Sequence, residues 1–66
     1  MKLTINGEDK SYSAPLTVSE LVKKYGLKKE GVAVELNKNI VKKADYENMP
    51  LRDGDKVEIV HFVGGG

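Results

Sequence analysis

Leu3 and Ile5 alternate with Lys2, Thr4 and Asn6, the two-residue period of a strand that buries one face. Asn6-Gly7 follows at once, and this dipeptide tolerates the positive φ angles of a tight hairpin turn. The sequence therefore predicts an antiparallel return over Lys10 to Ala14, with Tyr12 and Ala14 on the core side. Pro15 stops that strand, and the pattern changes period. Val18, Leu21, Val22 and Tyr25 recur at i, i+3, i+4 and i+7, one stripe of a helix, while Lys23 and Lys24 face water. Thr17 and Glu20 have the spacing of a capping box at the start of that helix, and Gly26 can take the left-handed conformation that ends it.

Val32 to Leu36 is short and rich in valine, bounded by Gly31 and by a turn at Asn37 to Asn39. It predicts a third strand with Val32, Val34 and Leu36 on one face. Ile40 and Val41 make a brief fourth strand. The stretch from Lys42 to Leu51 is too polar for a core strand and too irregular for a long helix, so it reads as a loop holding one helical turn. Asp53 and Gly54 mark a turn into a final strand, in which Val57 and Ile59 alternate with Lys56 and Glu58.

The order is ββαββ with a last strand near the end of the sequence. One amphipathic helix lying across a small mixed sheet of four to five strands is the α+β layout of a β-grasp, ubiquitin-like domain. Residues 1–63 are expected to form this one domain and residues 64–66 a flexible glycine tail. A fold does not decide a chemistry, which has to come from a site.

Composition narrows the choice of site. With 66 residues the chain has room for one small core. It has no cysteine, which removes disulfides, thiolate nucleophiles and thiolate metal sites together. A single histidine leaves no imidazole cluster, so no metal site is expected. Eleven Lys and Arg against ten Asp and Glu give a net charge of +1 with the signs interspersed, which argues against nucleic-acid or membrane binding by bulk charge. No apolar run has the length of a bilayer span and the N-terminal residues carry no signal-like apolar region, so a soluble, cytoplasmic protein is expected. The lysine pairs Lys23-Lys24, Lys28-Lys29 and Lys42-Lys43 read as solubilising surface, although one pair could steer an acidic partner.

No nucleophile stands in the context of a base, and no glycine loop carries a phosphate-binding lysine. His61 shares a side with Val57 and Ile59 by alternation and is expected to be a partly buried structural residue. The chain is not expected to be an enzyme by itself. Its ending, "HFVGGG", is different in kind. Glycines add no packing to a fold, but a carboxylate carried on residues without Cβ atoms can be threaded through a channel too narrow for any side chain. Extended, Gly64, Gly65 and Gly66 would reach about 10 Å beyond the last strand. A partner enzyme could then activate the Gly66 carboxylate with ATP, giving an acyl-adenylate open to sulfur or to an amine; the competing reading is an inert, frayed end. Just before the tail, Val60 and Phe62 fall on the face opposite Val57 and Ile59, where with Val63 they would form a docking patch for a partner. A β-bulge would instead turn Phe62 inward as ordinary core.

The stretches "KLTINGE", "LTVSELV", "VAVELNKNIV" and "LRDGDKVEIVHFVGGG" together resemble the ThiS family, the sulfur carriers of thiamine thiazole biosynthesis, over essentially the whole chain. The strand running from "DGD" straight into glycines is the most specific of these features. The resemblance implies that Gly66 is the modified residue, adenylated by a ThiF-type enzyme with ATP and magnesium and then converted by a sulfur donor to a thiocarboxylate. Gly64 and Gly65 would be the arm, and a ThiG-type thiazole synthase would receive the sulfur. No cofactor would be bound by the chain itself. The family pattern ends in Gly-Gly, and this chain has a third glycine, so the arm is one residue longer or the strand one shorter. Tyr46 stands where relatives often have tryptophan, which bears on a packing contact. Three other uses fit the same tail: the small subunit of molybdopterin synthase, for which the chain is short; a protein modifier that ends in an isopeptide bond; and a β-grasp binding module with an inert tail.

Overall fold

The computed structural model describes residues 1–13 and 15–62. Strand β1, Lys2–Ile5, buries Leu3 and Ile5, as the alternation requires. Asn6 and Gly7 then take φ 51° and 82°, the two positive angles of a mirror-image turn whose twist suits a hairpin. A loop of two residues sets the register at Ile5↔Glu8, so strand β2 is Glu8–Ser11 and starts earlier than the predicted Lys10. All four side chains of β2 are exposed. Tyr12 lies just past the strand and is half-buried against the core, its N–H donating to the Met1 carbonyl at 2.9 Å. Ala14 lies outside the described residues.

Helix α1, Val18–Lys24, opens with the capping box in full: Thr17 Oγ1 accepts from the Glu20 N–H at 3.2 Å, and Glu20 Oε1 accepts from the Thr17 N–H at 2.9 Å. Val18, Leu21 and Val22 are buried on the sheet side. Tyr25, predicted to continue that stripe, is instead the C-cap and 39% exposed. The helix ends before Tyr25 can face the core, and Gly26 takes φ 71° there. The Tyr25 ring borders Lys10, Tyr12 and Lys24 at the hairpin end of the molecule.

A 3₁₀ turn at Lys29–Gly31, absent from the sequence reading, leads into β3, Val32–Leu36, and then β4, Asn39–Val41. The segment read as a loop with one helical turn is a 3₁₀ helix over Lys43–Asn48 that buries Tyr46 to 1% exposure. The chain then returns beside the start of α1. The Val18 N–H donates to the Met49 carbonyl at 2.9 Å and the Leu51 N–H to the Leu16 carbonyl at 2.8 Å, which brings the buried Leu16 and Leu51 into the core.

Strand β5, Lys56–His61, enters the middle of the sheet, giving the order β2-β1-β5-β3-β4. It runs parallel to β1 and antiparallel to β3, so the five-stranded sheet is mixed, with α1 across one face. The β-grasp layout expected from the sequence is the fold observed. Val57 and Ile59 are buried on the helix side of β5, whereas His61, expected to join them, is exposed. It is the last residue of the strand, and cover of the inner face of β5 ends at Ile59.

Candidate functional site

β5 is held by β3 up to its final residue, and on the β1 side only as far as Ile59. Its ladder with β3 runs over five positions, from Leu36↔Val57 to Val32↔His61, and the Phe62 N–H extends it by donating to the Gly31 carbonyl at 2.9 Å. That ladder is regular, so the alternation continues past Ile59. Val60 and Phe62 stand outward, 55% and 57% exposed, and no bulge turns Phe62 into the core. Ala33 lies opposite Val60. Ile40 on β4 is 78% exposed, and with Ala33, Lys43 and Phe62 it borders a shallow depression at that edge of the sheet. Sequence reasoning placed Ile40 in a strand but not in this patch. The available signal was its alternation with Val41, which is buried.

The charges around the patch are unequal. Glu35 and Glu58 face each other across β3 and β5 on the outer side, a like-charge cross-strand pair. Behind the patch, Lys43 Nζ donates to the carbonyls of Lys29 and Val32 and lies 5.8 Å from the centre of the Tyr46 ring. One ammonium thus ties the Lys43–Asn48 helix to the turn that precedes β3.

On the other side of β5, β1 contributes only two paired positions, Thr4↔Lys56 and Ile5↔Val57. The Asn6 side chain carries the contact further. Its Oδ1 accepts from the Ile59 N–H at 2.8 Å and its Nδ2 donates to the Ile59 carbonyl at 3.2 Å. At the start of the strand Asn37 acts similarly: its N–H donates to the Lys56 carbonyl at 2.7 Å, and its Oδ1 accepts from the Lys56 N–H at 2.9 Å. Neither asparagine is legible beyond its turn, because side-chain bonds across 53 residues for Asn6 and 19 for Asn37 leave no local pattern.

The predicted docking residue Val63 and the tail residues Gly64, Gly65 and Gly66 lie outside the described residues. Among the described residues, no grouping of His, Cys, Asp and Glu has the arrangement of a metal site, and no helix is long and apolar enough to cross a membrane. Two tyrosine hydroxyls are pushed above their ordinary range. Burial raises Tyr46; burial and then a hydrogen bond with Tyr12 raise Tyr25.

A sequence model of the ThiS family matches residues 3–66, from the first strand through the last glycine. The chain belongs to the ThiS family. The sulfur carrier protein ThiS of Bacillus subtilis is 43% identical to it over 65 residues, which are 97% of this chain and 98% of that protein. The crystal structure of the thiamine biosynthesis protein ThiS from Geobacter metallireducens superposes with a TM-score of 0.84 at 35% identity, covering all of both chains. A thiazole synthase of Paramagnetospirillum magneticum is 50% identical over 66 residues, which are all of this chain but 20% of that protein. A thiazole synthase of Magnetococcus marinus is similar at 41% identity, again over 20% of its length. This ThiS-family chain therefore spans a fifth of the two synthases and nearly the whole of the carrier proteins.

Proposed function

We propose that the chain is a sulfur carrier of thiamine biosynthesis, a protein substrate and not itself a catalyst, with the carboxylate of Gly66 as the reacting group. A carboxylate oxygen of Gly66 attacks the α-phosphorus of ATP in the site of a ThiF-type enzyme, releasing pyrophosphate and leaving an acyl-adenylate. Magnesium and ATP belong to that enzyme. Sulfur at the sulfide level, released as hydrosulfide from a donor protein, then attacks the acyl carbon and AMP departs, so that the net change on the carrier is one oxygen replaced by one sulfur. The thiocarboxylate delivers its sulfur to a ThiG-type thiazole synthase in the cytoplasm.

The observation that carries this reading is the family match running through Gly64, Gly65 and Gly66, shortly after Val60 on β5 and Phe62 just past it, both apolar and exposed. Such a patch at the root of a side-chain-free arm suits a partner that grips the domain and draws the arm into its own active site. Val63 belongs to the same patch in this reading. The two thiazole synthases that contain a region similar to the whole chain favour a thiazole acceptor over the molybdopterin one.

Intact mass tests it. After incubation with ATP, magnesium, a ThiF-type enzyme and a sulfide source, the chain should gain the difference between sulfur and oxygen, mapped to Gly66 and lost when Gly66 is deleted. An unchanged mass with an active enzyme would sink the sulfur-carrier reading and leave a modifier's handle or an inert end.

A further inference from the structure

We propose that Asn6 is a positioning residue for this transfer chemistry: its side-chain amide takes over from the β1 backbone as the partner of β5 at Ile59, and so holds the end of β5 in the geometry that a partner docks on. The proposal rests on the carrier reading and adds to it a residue remote from the tail in sequence.

The ladder between β1 and β5 shows why a substitute is needed. The Thr4 N–H donates to the Asp55 carbonyl at 3.0 Å and the Asn6 N–H to the Val57 carbonyl at 2.9 Å. There β1 stops, because Asn6 at φ 51° turns the chain away into the β1–β2 hairpin. The next backbone pair of β5 on that side belongs to Ile59, and it would be left without a strand beside it. A primary amide carries the same donor and acceptor as a peptide group, and the Asn6 side chain supplies both to Ile59. Val60, His61 and Phe62 follow directly, so the amide is the last lateral tie on the β1 side before the docking residues.

The residue type is informative. Positive φ at this turn is satisfied by Gly, Asn or Asp alike. Only Asn also offers a donor and an acceptor at this reach: ionised Asp only accepts, and Gly offers neither. Asn37 provides an internal comparison. It has the same φ of 51° and also grips β5, but at Lys56, the first residue of the strand.

The test uses the full chain with the adenylating enzyme, comparing Asn6→Gly, Asn6→Asp and Asn37→Gly. Both glycine variants keep the turn and remove a side-chain grip on β5. With Asn6→Gly the end of β5 must be ordered at docking, which should raise the KM for the carrier about fivefold while kcat stays unchanged. Exchange of the Ile59 amide with solvent should speed up about tenfold as the strand end opens. Asn37→Gly should leave that KM within about twofold of the parent. Asn6→Asp should bring in a pH dependence absent from the parent. Its carboxylate can still accept from the Ile59 N–H but repels the Ile59 carbonyl, whereas the protonated acid again has a donor and an acceptor, so the KM should fall back toward the parent's as pH falls through the carboxyl titration. An unchanged KM in Asn6→Gly overturns the proposal, and so does an equal rise in both glycine variants, which would mark a general loss of stability. Failure of the parent itself to be adenylated overturns the carrier reading and the positioning role with it; the Ile59 exchange rates then report only a structural tie.

Discussion

Tyr46 is the largest fully buried side chain of the described core, and it comes from a polar stretch of the sequence. Its ring packs in the core, while the Lys43 ammonium on the same 3₁₀ helix lies over it, 5.8 Å from the ring centre. Burial favours the neutral phenol over the phenolate and raises its pKa above the ordinary 10.0. For an acid whose folded pKa is raised, the folded state binds the proton more tightly than the unfolded chain does. The stabilisation is therefore complete below the unfolded pKa and is lost as pH rises through the folded one. Tyr25, also raised, titrates in the same direction. We expect urea midpoints to fall as pH rises above about 10. Tyr46→Phe should flatten part of that alkaline fall, since its ring packs without an ionisable group. A Tyr46→Phe alkaline limb identical to the parent's would show that another group sets the limit.

At the scale of elements, the outer face of the sheet sets two demands against each other. Glu35 and Glu58 lie directly opposite on β3 and β5, and like charges so placed destabilise a sheet. Glu35→Lys turns the pair attractive and should raise stability by roughly 0.2 to 1 kcal/mol, read as a higher urea midpoint with unchanged slope. If the variant is more stable and also poorer as a substrate of the adenylating enzyme, the acidic pair serves docking; if turnover is untouched, it does not. These demands explain what could be read in advance. β1, α1 and β5 announce themselves by local period: Leu3 with Ile5, Val18 with Leu21 and Val22, Val57 with Ile59. The register of β2 followed from a turn length and not from its own residues. Tyr46, Leu16 and Leu51 sit in no periodic run, and their burial depends on the chain returning beside the start of α1. His61 obeyed the alternation but lay past the covered end of its strand. The exposed pair Val60 and Phe62 was legible once β5 was regular, whereas the Asn6 contact with Ile59 belongs to the tertiary fold alone.

For the whole molecule, near-balanced charge and an apolar outer patch point to one mode of association. The net charge of +1 leaves little long-range field, and the lysine pairs are spread over α1, the 3₁₀ turns and their flanks instead of forming one face. If the partner docks on the exposed Ile40, Val60 and Phe62 as proposed, binding would rely on removing apolar surface from water, which salt screens hardly at all; attraction through lysines would fade once the Debye length falls below about 10 Å. The KM of the chain with the adenylating enzyme should therefore change less than about threefold between roughly 0.05 and 0.5 M salt. Val60→Asp should raise that KM by at least about tenfold while shifting the folding free energy by no more than about 0.5 kcal/mol, because the side chain is outside the core. A steep salt dependence together with an unaffected Val60→Asp variant would move the docking surface from the outer face of the sheet to the lysines.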